Sequence, residues 1–249
     1  MYEDVAGKRV LIVGASGGIG CGLCHALNDL GAEVIATSRN IEKLQNSFER
    51  LGIGAIETKK CDIIQTDEVL ALAKELNPVD ALCIVAGSTK LVPNHMLKRS
   101  IIDSQLSVNL AGPIDLISAM LRFKKFKTGA SIVTTSASAR YNSVAATIPY
   151  VAAKNALVAV TRSLSAELAP KKIRVNTVSF DYVQTDMARN ILDHLQKTGN
   201  EDAQTIIGVS PTENTALPYV YLISDASKWM TGQVLSADSG RRLTRIVYG

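Results

Sequence analysis

The chain has 249 residues, 47% of them hydrophobic and 20% charged, with a formal net charge of +4. That length suits one large α/β domain as well as two small ones, and that apolar content fills a core, which excludes a disordered chain. The charge is too mild to mark a nucleic-acid surface, and no stretch approaches the ~18 apolar residues of a membrane-spanning helix.

Strand-like and helix-like patterns alternate along the chain. Lys8–Val13 is predicted as a strand, too short an apolar run for a signal peptide, so a cytosolic setting is expected. It leads into Gly14-Ala15-Ser16-Gly17-Gly18-Ile19-Gly20 and a helix through Leu30. Glu33–Ser38 reads as a strand, Ile41–Leu51 as a helix, Ala55–Lys60 as a strand and Thr66–Leu76 as a helix. Asp80–Val85 is a nearly all-apolar strand. A long helical region from about Leu97 to Phe126, broken near Asn109–Pro113, precedes a strand at Ser131–Thr135. The basic run Lys124-Lys125-Phe126-Lys127 is expected at that helix's end, where cations complement the helix dipole. Pro149–Ala169 is helical, Ile173–Val178 is a strand, and two helical stretches and a short strand at Val234–Ser236 follow. Buried apolar strands between amphipathic helices predict one α/β domain: a doubly wound, Rossmann-type parallel sheet covered on both faces, with its crevice at the strands' C-terminal ends.

The glycine turn lies between a strand and a helix, the context a phosphate-binding turn requires: backbone approaches a pyrophosphate closely and helix N–H groups point at it. An NAD-binding fold usually ends its second strand with an acidic residue for the ribose 2′-hydroxyl. Here Ser38 and Arg39 stand instead, suited to the 2′-phosphate of NADP, and Asp62 after the third strand can accept from the adenine amino group. Tyr150 and Lys154, four apart in one helix, share a face. A free tyrosine titrates near pH ~10, and an ammonium nearby is expected to lower that value and make Tyr150 a usable general acid or base. Cys21-Gly22-Leu23-Cys24-His25 spells a haem-attachment string. It lies inside the first helix and lacks a second cysteine pair, so neither haem nor metal is expected there; Cys61 and Cys83 read as reduced core residues.

These residues together resemble the short-chain dehydrogenase/reductase family in its compact form. The likeness spans nearly the whole chain: the glycine turn, Asp62, Ala86-Gly87, Asn109, the serine-bearing strand end, Tyr150/Lys154, Ile173-Arg174-Val175-Asn176, and Thr231-Gly232-Gln233 with Asp238-Ser239-Gly240. It implies NADP(H) held by Gly14, Ser16, Gly18, Ile19, Gly20, Ser38, Arg39, Asp62, Ile63, Ala86, Gly87, Asn109, Tyr150, Lys154, Val183 and Thr185. It implies hydride transfer to a small carbonyl substrate, or from an alcohol, with Tyr150 as the acid, Lys154 holding the ribose, Asn109 binding a relay water, and a serine as oxyanion donor. It also implies a homo-oligomer, a tetramer or dimer, through the helices around 97–126 and 149–169; neither nucleic acid nor membrane is an expected partner.

Four positions depart from the family's pattern. Ile84-Val85 replaces two asparagines, Val13 replaces a threonine, and Phe180-Asp181 replaces Pro-Gly ahead of Tyr182-Val183-Gln184-Thr185, a segment that the resemblance implies touches the nicotinamide. The position thirteen residues before Tyr150, where the serine is usual, is Ala137, flanked by Ser136 and Ser138. Ser138, further past the strand end, is the favoured donor and Ser136 the reserve. A substrate lid is expected at about 185–211, where Met187, Ile191, Leu192, Leu195, Ile206 and Ile207 mix with charges. Arg140 and Tyr141 are further candidates for the pocket. The leading expectation is an NADPH-dependent ketoreductase resembling 3-oxoacyl-carrier-protein reductases. The alternative is an NADP-binding sensor or assembly protein without turnover.

Overall fold

The computed structural model describes residues 2–54, 56–138, 145–189 and 207–240. Seven parallel strands form one sheet: β1 (Arg9–Val13), β2 (Glu33–Ser38), β3 (Glu57–Lys60), β4 (Val79–Ile84), β5 (Phe126–Ala137), β6 (Arg174–Phe180) and β7 (Val234–Ala237), in the order β3-β2-β1-β4-β5-β6-β7. The helices are α1 (Gly18–Asp29), α2 (Ile41–Leu51), α3 (Thr66–Glu75), α4 (Arg99–Leu106), α5 (Gly112–Arg122), α6 (Ile148–Leu168) and α7 (Ala216–Ile223). Side chains alternate across β1, so Val10 and Ile12 join α1, α2 and α7 on one face. Leu11 and Val13 join α3 and α5 on the other. Both faces are covered, as the continuous apolar strands require.

The chain leaves β1 toward β2 on one side, and β4 returns on the other, so a crevice opens where the two paths diverge. Val13 closes its floor. Its carbonyl accepts from both the Val85 and Ala86 N–H groups at 2.9 Å, which holds the end of β4 against the start of the glycine turn.

The helical region near 97–126 is interrupted near Asn109, where a π-turn at Ser107–Ala111 joins α4 directly to α5. Three expectations need correction. That region ends at Arg122, not Phe126, because Lys124 takes a left-handed turn (φ 55°) and the next residues enter the sheet. Val79 N–H donates to the Lys125 carbonyl and Phe126 pairs with Val79. The basic run therefore straddles a turn and a strand, with the Lys125 ammonium on the Lys74 carbonyl and Lys127 on Asp80. Polar, exposed Lys127-Thr128-Gly129 carries no apolar pattern, which is why β5 begins earlier than its sequence suggests. Of the two helical stretches expected after β6, α7 is present; residues 190–206 lie outside the described ones.

Helix α6 is fastened to the sheet by a closed triangle of hydroxyls. Thr134 on β5, Thr177 on β6 and Thr161 on α6 are fully buried, with oxygen–oxygen distances of 2.8, 2.9 and 3.1 Å. Thr161→Val keeps the shape and removes one corner, leaving Thr134 and Thr177 bonded to each other. A loss of about 1 kcal/mol is expected, the net worth of a buried hydrogen bond, read as a lowered urea midpoint with unchanged slope.

Candidate active site

The glycine turn is shaped by backbone contact. Gly14 has φ 89°, and a Cβ there would stand 2.6 Å from the backbone of Ala86. A Cβ on Gly20 would stand 2.4 Å from the Gly14 carbonyl oxygen, so α1 can pack against the turn only without one. Gly17 opens α1 without a side-chain cap, so the N–H groups of Gly18, Ile19 and Gly20 have no intrahelical acceptors and face the crevice. Such N–H groups, with the helix dipole behind them, suit a pyrophosphate.

The cleft beyond this turn is lined by Ser16, Ser38, Arg39, Asp62, Ile63, Ala86, Gly87 and Thr185. The Ser16 and Ser38 hydroxyls lie 2.8 Å apart, and Ser38 also accepts from the Asn40 N–H at 3.1 Å. Arg39 is exposed beside them. Lys43, on the first turn of α2, lines the same cleft and escaped the sequence reading. The signal was present: Lys43 follows Arg39 by four residues, and Asn40 caps α2 by accepting from the Lys43 N–H. Two cations, two hydroxyls and no carboxylate at the end of β2 form a donor set that fits a 2′-phosphate.

A second pocket adjoins the first. Val85, Gly87, Thr185 and Met187 line both. Tyr150 and Lys154 enter it from the first two turns of α6. Lys154 is 4% exposed, its ammonium donates to the Thr135 carbonyl at 2.8 Å, and it lies 5.9 Å from the Tyr150 ring centre. Burial dominates both groups: it pushes the Tyr150 phenol up to about 12 and the Lys154 ammonium down to about 8. The expected lowering of the Tyr150 pKa by Lys154 is not found: burial acts on the phenol and raises it. Desolvation disfavours either charged form, and Tyr150 is held as a phenol.

Asn109 sits in the π-turn between α4 and α5, the type of irregularity that widens a helix at functional positions. It is fully buried. Its side-chain amide donates to the Ser88 and Gln105 carbonyls, and its carbonyl oxygen accepts from the Ser88 N–H. Gly87 lies between Asn109 and Lys154: a Cβ on it would be 3.0 Å from the Asn109 oxygen and 3.3 Å from the Lys154 nitrogen. The structure thus brings Asn109, Tyr150 and Lys154 around one backbone corner.

Both serines line the pocket, with different tasks. Ser136 donates to the Lys154 backbone carbonyl at 3.0 Å, a brace beneath α6. Ser138 donates to the Asp181 carboxylate at 2.6 Å. The departures also find places. Ile84 and Val13 are core residues, and the Phe180 ring packs on Tyr219, 5.9 Å between centres. Val183 is buried and bridges to Ser210. Met187 and Ile207 are exposed, while Ile191, Leu192, Leu195, Ile206, Arg140 and Tyr141 lie outside the described residues. Cys21, Cys24 and Cys83 pack in the core, and burial raises all three thiol pKa values. Among the described residues no group of three His, Cys, Asp or Glu side chains is placed to hold a metal, and no helix is long and apolar enough to cross a membrane.

Residues 14–242 match the family described as enoyl-(acyl carrier protein) reductase. The chain is 33% identical to an L-xylulose reductase of Caenorhabditis elegans over 248 residues, covering 95% of this chain and 96% of that one. It is 28% identical to a 3-oxoacyl-acyl-carrier-protein reductase of Rickettsia conorii over 243 residues, covering 95% and 98%. Among solved structures, an actinorhodin polyketide ketoreductase with NADPH superposes with a TM-score of 0.86 at 25% identity, over 96% of this chain and 98% of that one.

A buried ammonium makes a pH prediction. Lys154 titrates near 8 folded and near its ordinary 10.5 unfolded, so between those values the unfolded chain binds the extra proton and stability rises with pH. Lys154→Met removes that term. The variant's stability relative to the unmodified protein is expected to be greatest at pH 7 and to shrink by a few kcal/mol at most by pH ~9.5, followed by denaturant unfolding at each pH.

Proposed function

We propose that this chain, which belongs to the short-chain dehydrogenase/reductase family of oxidoreductases, is an NADPH-dependent reductase that converts a small carbonyl compound to a secondary alcohol. The observation that carries this reading is the shared wall between the two pockets. A cleft fitted to a phosphorylated dinucleotide runs into a pocket holding a half-buried phenol beside a buried ammonium. The relatives' names include a sugar reductase and an acyl-carrier reductase. What they share is carbonyl reduction, which supports the reaction and leaves the substrate to this chain's own pocket.

Bound NADPH supplies a hydride from nicotinamide C4. The rest falls to side chains of this chain. The Tyr150 hydroxyl donates to the carbonyl oxygen and passes its proton as negative charge develops there. Burial favours the protonated phenol, so the proton is on Tyr150 when the carbonyl arrives. Lys154 stabilises the phenolate left behind and offers donors to the ribose. Ser138, at the pocket side of the β5 end, is the oxyanion donor in this reading, and Ser136 supports α6. Gly14, Gly18, Ile19 and Gly20 hold the pyrophosphate. Ser16, Ser38, Arg39 and Lys43 hold the 2′-phosphate, and Asp62 with Ile63 the adenine. Val183 and Thr185 would hold the nicotinamide, and Ala86, Gly87 and Asn109 its ribose.

The reading treats the chain as one cytosolic domain with a substrate lid at about 185–211, and as a homo-oligomer built through α4–α5 and α6. Half-buried Ile101, Ile102 and Val160 on those helices support the last point.

Cofactor choice rests on charge at the end of β2. NADPH is expected to be preferred over NADH, and Arg39→Asp to reverse the preference by facing the 2′-phosphate with an anion. The check is kcat/KM with each cofactor.

The chemistry rests on Tyr150. Tyr150→Phe is expected to keep NADPH fluorescence quenching while losing on the order of 10²-fold or more in turnover. Ser138→Ala is expected to lose ~10²–10³-fold in kcat, the usual cost of one oxyanion donor, and Ser136→Ala less. Steady-state assays with a ketone panel check both.

A further inference from the structure

Ala137 pairs with Phe180 at the ends of β5 and β6, so the next residue on each strand emerges beside its neighbour. Those residues are Ser138 and Asp181, joined by the 2.6 Å hydrogen bond. Both line the pocket that contains Tyr150. Much of that wall is apolar, with Ile19, Val85, Val183 and Met187 among its members, and Asp181 is half-buried among them. A carboxylate in such surroundings needs hydrogen-bond donors.

The polarity of this pair has a consequence for what can bind. A carboxylate only accepts, at two oxygens with several lone-pair sites. With its hydrogen turned to Asp181, Ser138 also presents lone pairs to the pocket. A bare carbonyl oxygen approaching this wall meets acceptors, whereas a hydroxyl meets partners. Tyr150, held as a phenol, supplies a donor on the α6 side. The pocket therefore offers a donor at one point and an anionic acceptor at another, and a substrate that matches must carry both an acceptor and a donor.

We propose that Asp181 determines the substrate class: it accepts a hydrogen bond from a hydroxyl on the carbon beside the reacting carbonyl, so the pocket takes α-hydroxy ketones over plain ketones. This rests on the carbonyl-reductase reading above. The substrate hydroxyl donates to Asp181, and Ser138 then turns its own hydrogen to the carbonyl oxygen. No bond beyond the hydride and proton transfers already described is made or broken. A site with an acceptor placed for a hydroxyl favours the substrate that carries it, because the analogue without it gains no bond there.

Acetoin and butanone differ by that one hydroxyl and form the test. With NADPH, kcat/KM for both is measured in the unmodified protein and in Asp181→Asn and Asp181→Ala. Asparagine keeps the size while removing the charge. The expected result is a preference for acetoin that falls about ten-fold to a hundred-fold in the variants, the scale of one hydrogen bond to a charged group, with the larger loss in Asp181→Ala. Equal losses for the two ketones would show that Asp181 only braces Ser138 and would overturn the proposal, as would an unchanged ratio. Titrating each ketone into the NADPH-bound protein and following cofactor fluorescence gives a second readout. If neither ketone is reduced, the reductase reading fails. Binding then still decides the role of Asp181: acetoin favoured over butanone only while Asp181 is present supports it, and no difference overturns it.

Discussion

Placing an amine in the interior of the protein is costly unless it is hydrogen-bonded, and Lys154 is the point on which this structure turns. Three successive residues of β5 are committed to the helix that carries it. Thr134 bonds the α6 hydroxyl of Thr161, the Thr135 carbonyl receives the Lys154 ammonium, and the Ser136 hydroxyl donates to the Lys154 carbonyl. Thr135 reaches further. Its hydroxyl donates to the Ile84 carbonyl on β4 and receives a hydrogen bond from Tyr219 of α7 on the opposite face. The ammonium is thus tied through one strand to both layers of helices.

The same burial sets the chemistry. Desolvation favours the neutral forms of Tyr150 and Lys154, so the pocket stores a proton on the phenol and keeps the lysine close to its own titration. Val85, standing where a polar residue is usual in the family, adds to this by lining the pocket with apolar surface, and Ile84 before it is core. The cleft beside the glycine turn is built on the opposite principle. Arg39 and Lys43 stand at an open cleft, where charge attracts an anion through solvent and salt screens it. One end of the crevice presents exposed cations and the other a desolvated phenol and ammonium.

Much of this was legible in the residues themselves. The ends of β2 and α2 fall where the hydrophobic pattern and the Asn40 cap place them. The glycine turn announced its strand and helix, and the spacing of Tyr150 and Lys154 put them on one face of α6. Three features escaped for identifiable reasons. A break near Asn109 was legible, but its form as a π-turn has no compositional mark, since Asn109 is held there by side-chain bonds to Ser88 on another segment. Phe126 belongs to β5 because of its pairing with Val79, a neighbour far away in sequence. The two serines could not be told apart by strand alternation, because both point toward the pocket and differ only in their partners: the Lys154 carbonyl for Ser136 and Asp181 for Ser138.

The sequence by itself determined what depends on near neighbours: strand and helix periodicity, the turn that only glycine can make at Gly14, and the four-residue repeat that pairs Tyr150 with Lys154. Tertiary structure alone decided how deeply that pair is buried, and with it the direction of both pKa shifts. It also decided that the ends of β5 and β6 emerge together, bringing a carboxylate to the serine 43 positions earlier in the chain. The physical reason is common to both. Solvent exclusion and cross-strand register are properties of the assembled sheet, and no local run of residues carries them.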